Sequence, residues 1–118
     1  MKSILVIDDD LTNVSLLKAR LSKEGYFVIG LQDAEKALYF LKDSQPGLII
    51  LDVEMPGMDG YSFLVSLDKL GLPKPVPVIV VTSHQETQPI FKMRGVRDYL
   101  LKPVNFEELL PKVQKYFA

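Results

Sequence analysis

The chain has 118 residues, 47% of them hydrophobic and 25% charged, enough for one compact domain with its own core and too few for a comfortable second one. Fourteen Lys and Arg against fifteen Asp and Glu leave a formal charge of -1, with no basic stripe of the kind that nucleic acid selects. There is no cysteine, which excludes disulfides, thiolate metal sites and thiol nucleophiles.

The first apolar run, residues 4–7, stops at Asp8, Asp9 and Asp10. It is too short and too soon acidic for a signal peptide or a membrane span, so a cytoplasmic protein without membrane contact is expected. Val14, Leu17 and Leu21 then share one face of a helix that Gly25 stops. A second run covers residues 26–29, after which Asp33 caps a helix whose Ala34, Ala37, Leu38 and Leu41 face inward. The third run, residues 48–51, ends in Asp52. A turn-rich loop follows, Met55-Pro56-Gly57-Met58-Asp59-Gly60, and residues 61–70 read as a third helix closed by Gly71 and Pro73.

The fourth run, residues 76–81, opens onto Thr82 and Ser83. From residue 83 to 94 the apolar spacing is poor and Pro89 intervenes, which leaves space for a short helix at most. The fifth run, residues 96–101, leads to Lys102 and Pro103, whose peptide bond is open to either isomer. The final helix carries Phe106, Leu109, Leu110, Val113 and Phe117 behind a cap at Asn105, and Pro111 inside it should bend it. No further domain fits after Lys115, so the chain is either a complete small protein or one cut from a longer regulator.

Continuous Val- and Ile-rich runs suit strands covered on both faces. Strands alternating with helices at this spacing imply one α/β domain over residues 1–118, a parallel sheet with right-handed crossovers and helices on both sides. Ligands of such sheets collect at the carboxyl ends of the strands. There the chain places Asp8, Asp9, Asp10, Asp52, Thr82 and Lys102. Carboxylates held close together repel one another unless a cation is present, and a hard divalent ion such as Mg²⁺ favours such oxygen ligands, with Mn²⁺ able to substitute. Asp52 then suits attack on phosphorus, with Thr82 and Lys102 stabilising the oxygens as charge develops. Blander readings stand beside these. Asp10 fits a helix cap, Tyr99 a ring on the sheet edge, and the single His84 a surface position.

Four segments in order, ILVIDDD, LDVEMPGMDG, VVTS and DYLLKP, resemble the response-regulator receiver domains of two-component signalling over essentially the whole chain. The resemblance implies a doubly wound, flavodoxin-like (CheY-like) sheet of five parallel strands in the order 2-1-3-4-5. It implies Asp52 as phosphoacceptor, Asp9 as direct metal ligand, Asp8 acting through a metal-bound water and the carbonyl of Glu54 completing the metal site. Lys102 would contact the phosphoryl group. Thr82 and Tyr99 would act as coupled switch residues that alter the surface of the family's fourth helix, fifth strand and fifth helix. The implied donor is the phosphohistidine of a sensor histidine kinase or phosphotransfer protein, with Mg-dependent self-phosphorylation and autodephosphorylation and no turnover of an external substrate. The implied partners are proteins, not nucleic acid, and the implied state is a monomer or weak homodimer.

Three features depart from the family pattern. The interval from Thr82 to Gly95 is shorter by about two residues, Ser83 stands where a small apolar residue is usual, and Pro111 interrupts the final helix. All lie in or beside the output surface and point to a modified one. Two rival functions use the same residues. Asp8-Asp9-Asp10-Leu11-Thr12 fits the D-x-D-x-T signature of haloacid-dehalogenase-like phosphatases, with Asp8 as nucleophile and Asp10 as general acid/base. Against it, no late acidic pair follows Lys102 and Asp52 would go unexplained. A non-catalytic interaction module with a degenerate site is opposed by the complete set of site residues.

Overall fold

Along the central strands the side chains alternate between two apolar clusters, and this alternation sets the architecture. The computed structural model describes residues 2–54, 59–83 and 95–117. Its five parallel strands are β1 (Ser3–Ile7), β2 (Phe27–Leu31), β3 (Leu48–Asp52), β4 (Val78–Thr82) and β5 (Val96–Leu101), paired in the order β2-β1-β3-β4-β5. That is the order the family resemblance implies. The helices among the described residues are α1 (Leu11–Lys23), α2 (Ala34–Leu41), α3 (Gly60–Lys69) and α4 (Phe106–Lys115). The short helix considered within 84–94, His84 and the loop residues Met55 to Met58 lie outside the described residues, so α4 corresponds to the family's last helix.

In β1, Leu5 and Ile7 enter a cluster with Ala37 and Leu41 of α2 and Phe63 and Leu64 of α3. Ile4 and Val6 enter the other, with Val14, Leu17 and Leu21 of α1 and Leu109 and Val113 of α4. β3 and β4 divide in the same way, so the three middle strands are covered on both faces. The outer strands depart from that expectation. β2 fully buries only Val28 and β5 only Leu100, because each has a single hydrogen-bonded neighbour and sits at the sheet's rim.

Helix starts are specified by side chains. Asp10, Asp33, Asp59 and Asn105 each adopt extended backbone and accept from amide N–H groups of the first turn. Gly25, with φ of 94°, closes α1 in the left-handed region where other residues are strained. Pro111 does not end α4, which runs from Phe106 to Lys115. Both Pro111 and Glu107, the residue whose carbonyl loses its helical donor, are exposed, so solvent can serve that carbonyl.

Phe63 has no exposed surface, whereas Tyr39 is 71% exposed. Phe63→Ala is expected to lose about 3–5 kcal/mol in urea denaturation, and Tyr39→Ala to stay within about 0.5 kcal/mol of wild type. Equal urea midpoints for the two variants would contradict the core described here.

Candidate functional site

The alternation that builds the core also aims the polar residues at the strand ends. Asp8 continues Ile4 and Val6, Asp52 continues Leu48 and Ile50, and Lys102 continues Leu100, all on the α1 and α4 side of the sheet. They meet in one cleft of about 430 Å³ whose other walls include Asn13, Leu16 and Arg20 of α1 and Phe106 of α4. Thr82 follows Val78 and Val80, which serve the α2 and α3 side, and its hydroxyl turns to Glu54.

Asp52 is only 1% exposed. The Lys102 ammonium donates to its Oδ2 at 3.0 Å, and the backbone N–H of Glu54 donates to its Oδ1 at 2.9 Å. Asp8 is also buried and accepts from the backbone N–H of Asp10 at 2.9 Å and from the Asn13 amide at 3.4 Å. Asp9 is exposed, and its carbonyl accepts from the Gln32 side chain at 3.2 Å. Carboxylate oxygens of Asp8, Asp9 and Asp52 all lie within 4.8 Å of one another.

Burial pushes the Asp8 carboxyl up to about 6. The N–H of Asp10 works the other way, and the neighbouring Asp52 reinforces burial. Burial also opposes the Lys102 ammonium, but the hydrogen bond and charge of Asp52 outweigh it and hold Lys102 above its ordinary value. One ammonium does not balance three converging carboxylates. An oxygen-only donor set with this surplus of negative charge fits a hard divalent cation.

The remaining acids have other tasks. Asp10 turns away and caps α1, its side chain accepting from the N–H of Thr12 at 2.9 Å. The Glu54 carboxylate lies at the end of β4, where Oε1 accepts from the Thr82 hydroxyl at 3.2 Å and from the N–H of Ser83 at 3.1 Å. Sequence reading placed the Glu54 carbonyl near a metal but missed this contact. Tyr99 stands 41% exposed on β5. Beside it Asp98 accepts from Lys112 at 3.0 Å and Lys115 at 3.2 Å, a tie between β5 and α4 that sequence reading also missed. Burial alone would raise the Asp98 carboxyl, yet the two lysines hold it below its ordinary value.

Two backbone features flank Asp52 and Lys102. The Lys102–Pro103 bond is cis. At the start of α3, a Cβ on Gly60 would lie 2.5 Å from Cγ1 and 2.8 Å from Cα of Val53, the residue after Asp52. Only glycine fits that approach.

Residues 4–114 match the family model for the response regulator receiver domain. Protein PilH of Pseudomonas aeruginosa is 34% identical over 120 residues, covering 100% of this chain and 99% of its own length. The two-component response regulator ARR12 of Arabidopsis thaliana is 38% identical over 110 residues, but this chain spans only 18% of it. Among solved structures, the response regulator protein TrrA of Thermotoga maritima, in complex with Mg²⁺-BeF, superposes with a TM-score of 0.85 at 33% identity, covering 98% of this chain and 99% of that one.

The raised Asp8 has a measurable consequence. Between its ordinary value of 3.8 and about 6 the folded state binds more protons than the unfolded chain, so metal-free stability falls as pH rises through that window. Thermal unfolding in EDTA should show this slope, Asp8→Asn should flatten it, and Mg²⁺ should raise the midpoint more at pH 7 than at pH 5. A flat wild-type profile in EDTA would contradict the burial cost assigned to Asp8.

Proposed function

The chain belongs to the response regulator receiver family of phosphoryl-accepting switches, and from that premise we propose that Asp52 is the residue that takes the phosphoryl group. The observation that carries this reading is the pairing of a buried strand-end carboxylate with Lys102 at 3.0 Å, in a cleft it shares with Asp8 and with the Asp9 carboxylate close by.

An Asp52 oxygen attacks phosphorus while the bond from phosphorus to the leaving group breaks, and the leaving group departs with that electron pair. The leaving group is the imidazole of a phosphohistidine or, with a small donor, the carboxylate of acetyl phosphate. Lys102 meets the charge on the transferring oxygens without prior rearrangement of solvent. The Thr82 hydroxyl transfers its hydrogen bond from Glu54 to a phosphoryl oxygen, and Tyr99 on β5 carries the change to the surface that partners read.

Asp8, Asp9 and Asp52, with the Glu54 carbonyl, would hold Mg²⁺ or, in its place, Mn²⁺. Bound there, the ion supplies positive charge that offsets the carboxylates and the transferring oxygens. The likeness to TrrA, described in complex with Mg²⁺-BeF, supports that assignment. The same site supports autodephosphorylation by water, with no external substrate turned over.

The donor is a sensor histidine kinase or phosphotransfer protein, which places the domain in the cytoplasm. Residues 1–118 act as one receiver domain, monomeric or weakly dimeric. Among the described residues no helix is long and apolar enough to cross a membrane. The phosphatase alternative requires Asp10 as acid and base, but that carboxylate is occupied at the start of α1.

Incubation with acetyl phosphate and Mg²⁺ followed by mass spectrometry should locate an acyl phosphate on Asp52, absent in Asp52→Ala and after EDTA. Lys102→Ala should keep the same labelled residue at a rate reduced on the order of 100-fold. Label on Asp8 instead would overturn the assignment.

A further inference from the structure

Ser83 follows Thr82 at the end of β4, and the phosphoryl chemistry above gives it no task. Its Oγ nevertheless lies 2.6 Å from Oε1 and 2.8 Å from Oε2 of Glu54, and its backbone N–H donates to Oε1 at 3.1 Å. A serine hydroxyl has one proton, which it directs to one carboxylate oxygen at a time, while the amide is a second donor fixed by the backbone. Glu54 is therefore gripped by two atoms of one residue, through bonds to a charged acceptor, the stronger kind. The gripped oxygen Oε1 also receives the Thr82 hydroxyl at 3.2 Å.

We propose that Ser83 is a positioning residue that clamps the Glu54 carboxylate, keeps the Thr82 hydroxyl engaged in the resting state and so restrains phosphoryl transfer to Asp52. This inference rests on Asp52 being the acceptor. Two effects act in the same direction. Thr82 can donate to a phosphoryl oxygen only after leaving Glu54. Glu54 held there also keeps a negative charge near enough to act on Lys102, in competition with the oxygens of a phosphoryl group.

The test is the rate of Asp52 labelling by acetyl phosphate and Mg²⁺ in the full chain. Ser83→Ala should label about fivefold faster than wild type, the scale of one hydrogen bond. Ser83→Thr, which keeps the hydroxyl, should restore the wild-type rate. In a Glu54→Ala background, Ser83→Ala should add nothing, because no carboxylate is left to hold. Label on Asp52 at the same rate in wild type and Ser83→Ala overturns the clamp and leaves the acceptor assignment standing. Equal acceleration with and without Glu54 also overturns it, since Ser83 would then act by another route. No label on Asp52 in wild type removes both the clamp and the reading it rests on.

Discussion

A carboxylate almost sealed from water is the constraint on which the site depends. Asp52 closes a fully buried strand, and an ionised group there is tolerated only with partners of opposite charge and donors for its lone pairs. The fold supplies both from neighbouring segments. Lys102 is brought into place by the last rung of the ladder, where its backbone N–H donates to the Thr82 carbonyl at 2.8 Å. Asp8 and Asp9 then add negative charge that the lysine does not cover, and Asp8, raised first by its burial and further by Asp52, bears part of that cost. The metal-free domain thus works against itself electrostatically, which is what makes a divalent cation welcome in this position.

Strand geometry separates two kinds of work across β4. On the α1 and α4 side lie Asp8, Asp52 and Lys102; towards the other side lie Thr82, Glu54 and Ser83. Asp52 sits at the boundary, accepting from Lys102 and from the Glu54 N–H. Beyond it, Thr82 pairs in register with Leu101 and Val80 with Tyr99, so β5 is the next layer to feel a change at Thr82. That strand is tied to α4 through Asp98 and its two lysines, which gives the outer edge of the sheet a second anchor besides its ladder.

Local sequence carried the acids because an apolar run that stops abruptly at a carboxylate is uncommon without a reason, and the helix caps because their chemistry is short-ranged. It was less informative wherever packing overrode composition. Val76 is buried yet lies before β4, since Pro77 has no N–H to give a ladder and offers only its carbonyl, to Ile49. Gly30 looked like the end of the second run, but β2 continues to Leu31. A Cβ at Gly30 would meet Val14 of α1 at 2.3 Å, so the glycine marks a close helix, not a break. The grip of Ser83 on Glu54 joins residues 29 apart, and nothing in either neighbourhood encodes it. The paired lysines on α4 were equally silent until β5 was placed beside them.

The tight approach of Gly60 to Val53 ties together the two ends of the loop that follows Asp52. Seven positions apart in the chain, these residues occupy what is effectively one volume. A side chain at position 60 would find its place already taken by Val53. Any side chain at the start of α3 would therefore press on the residue adjoining Asp52.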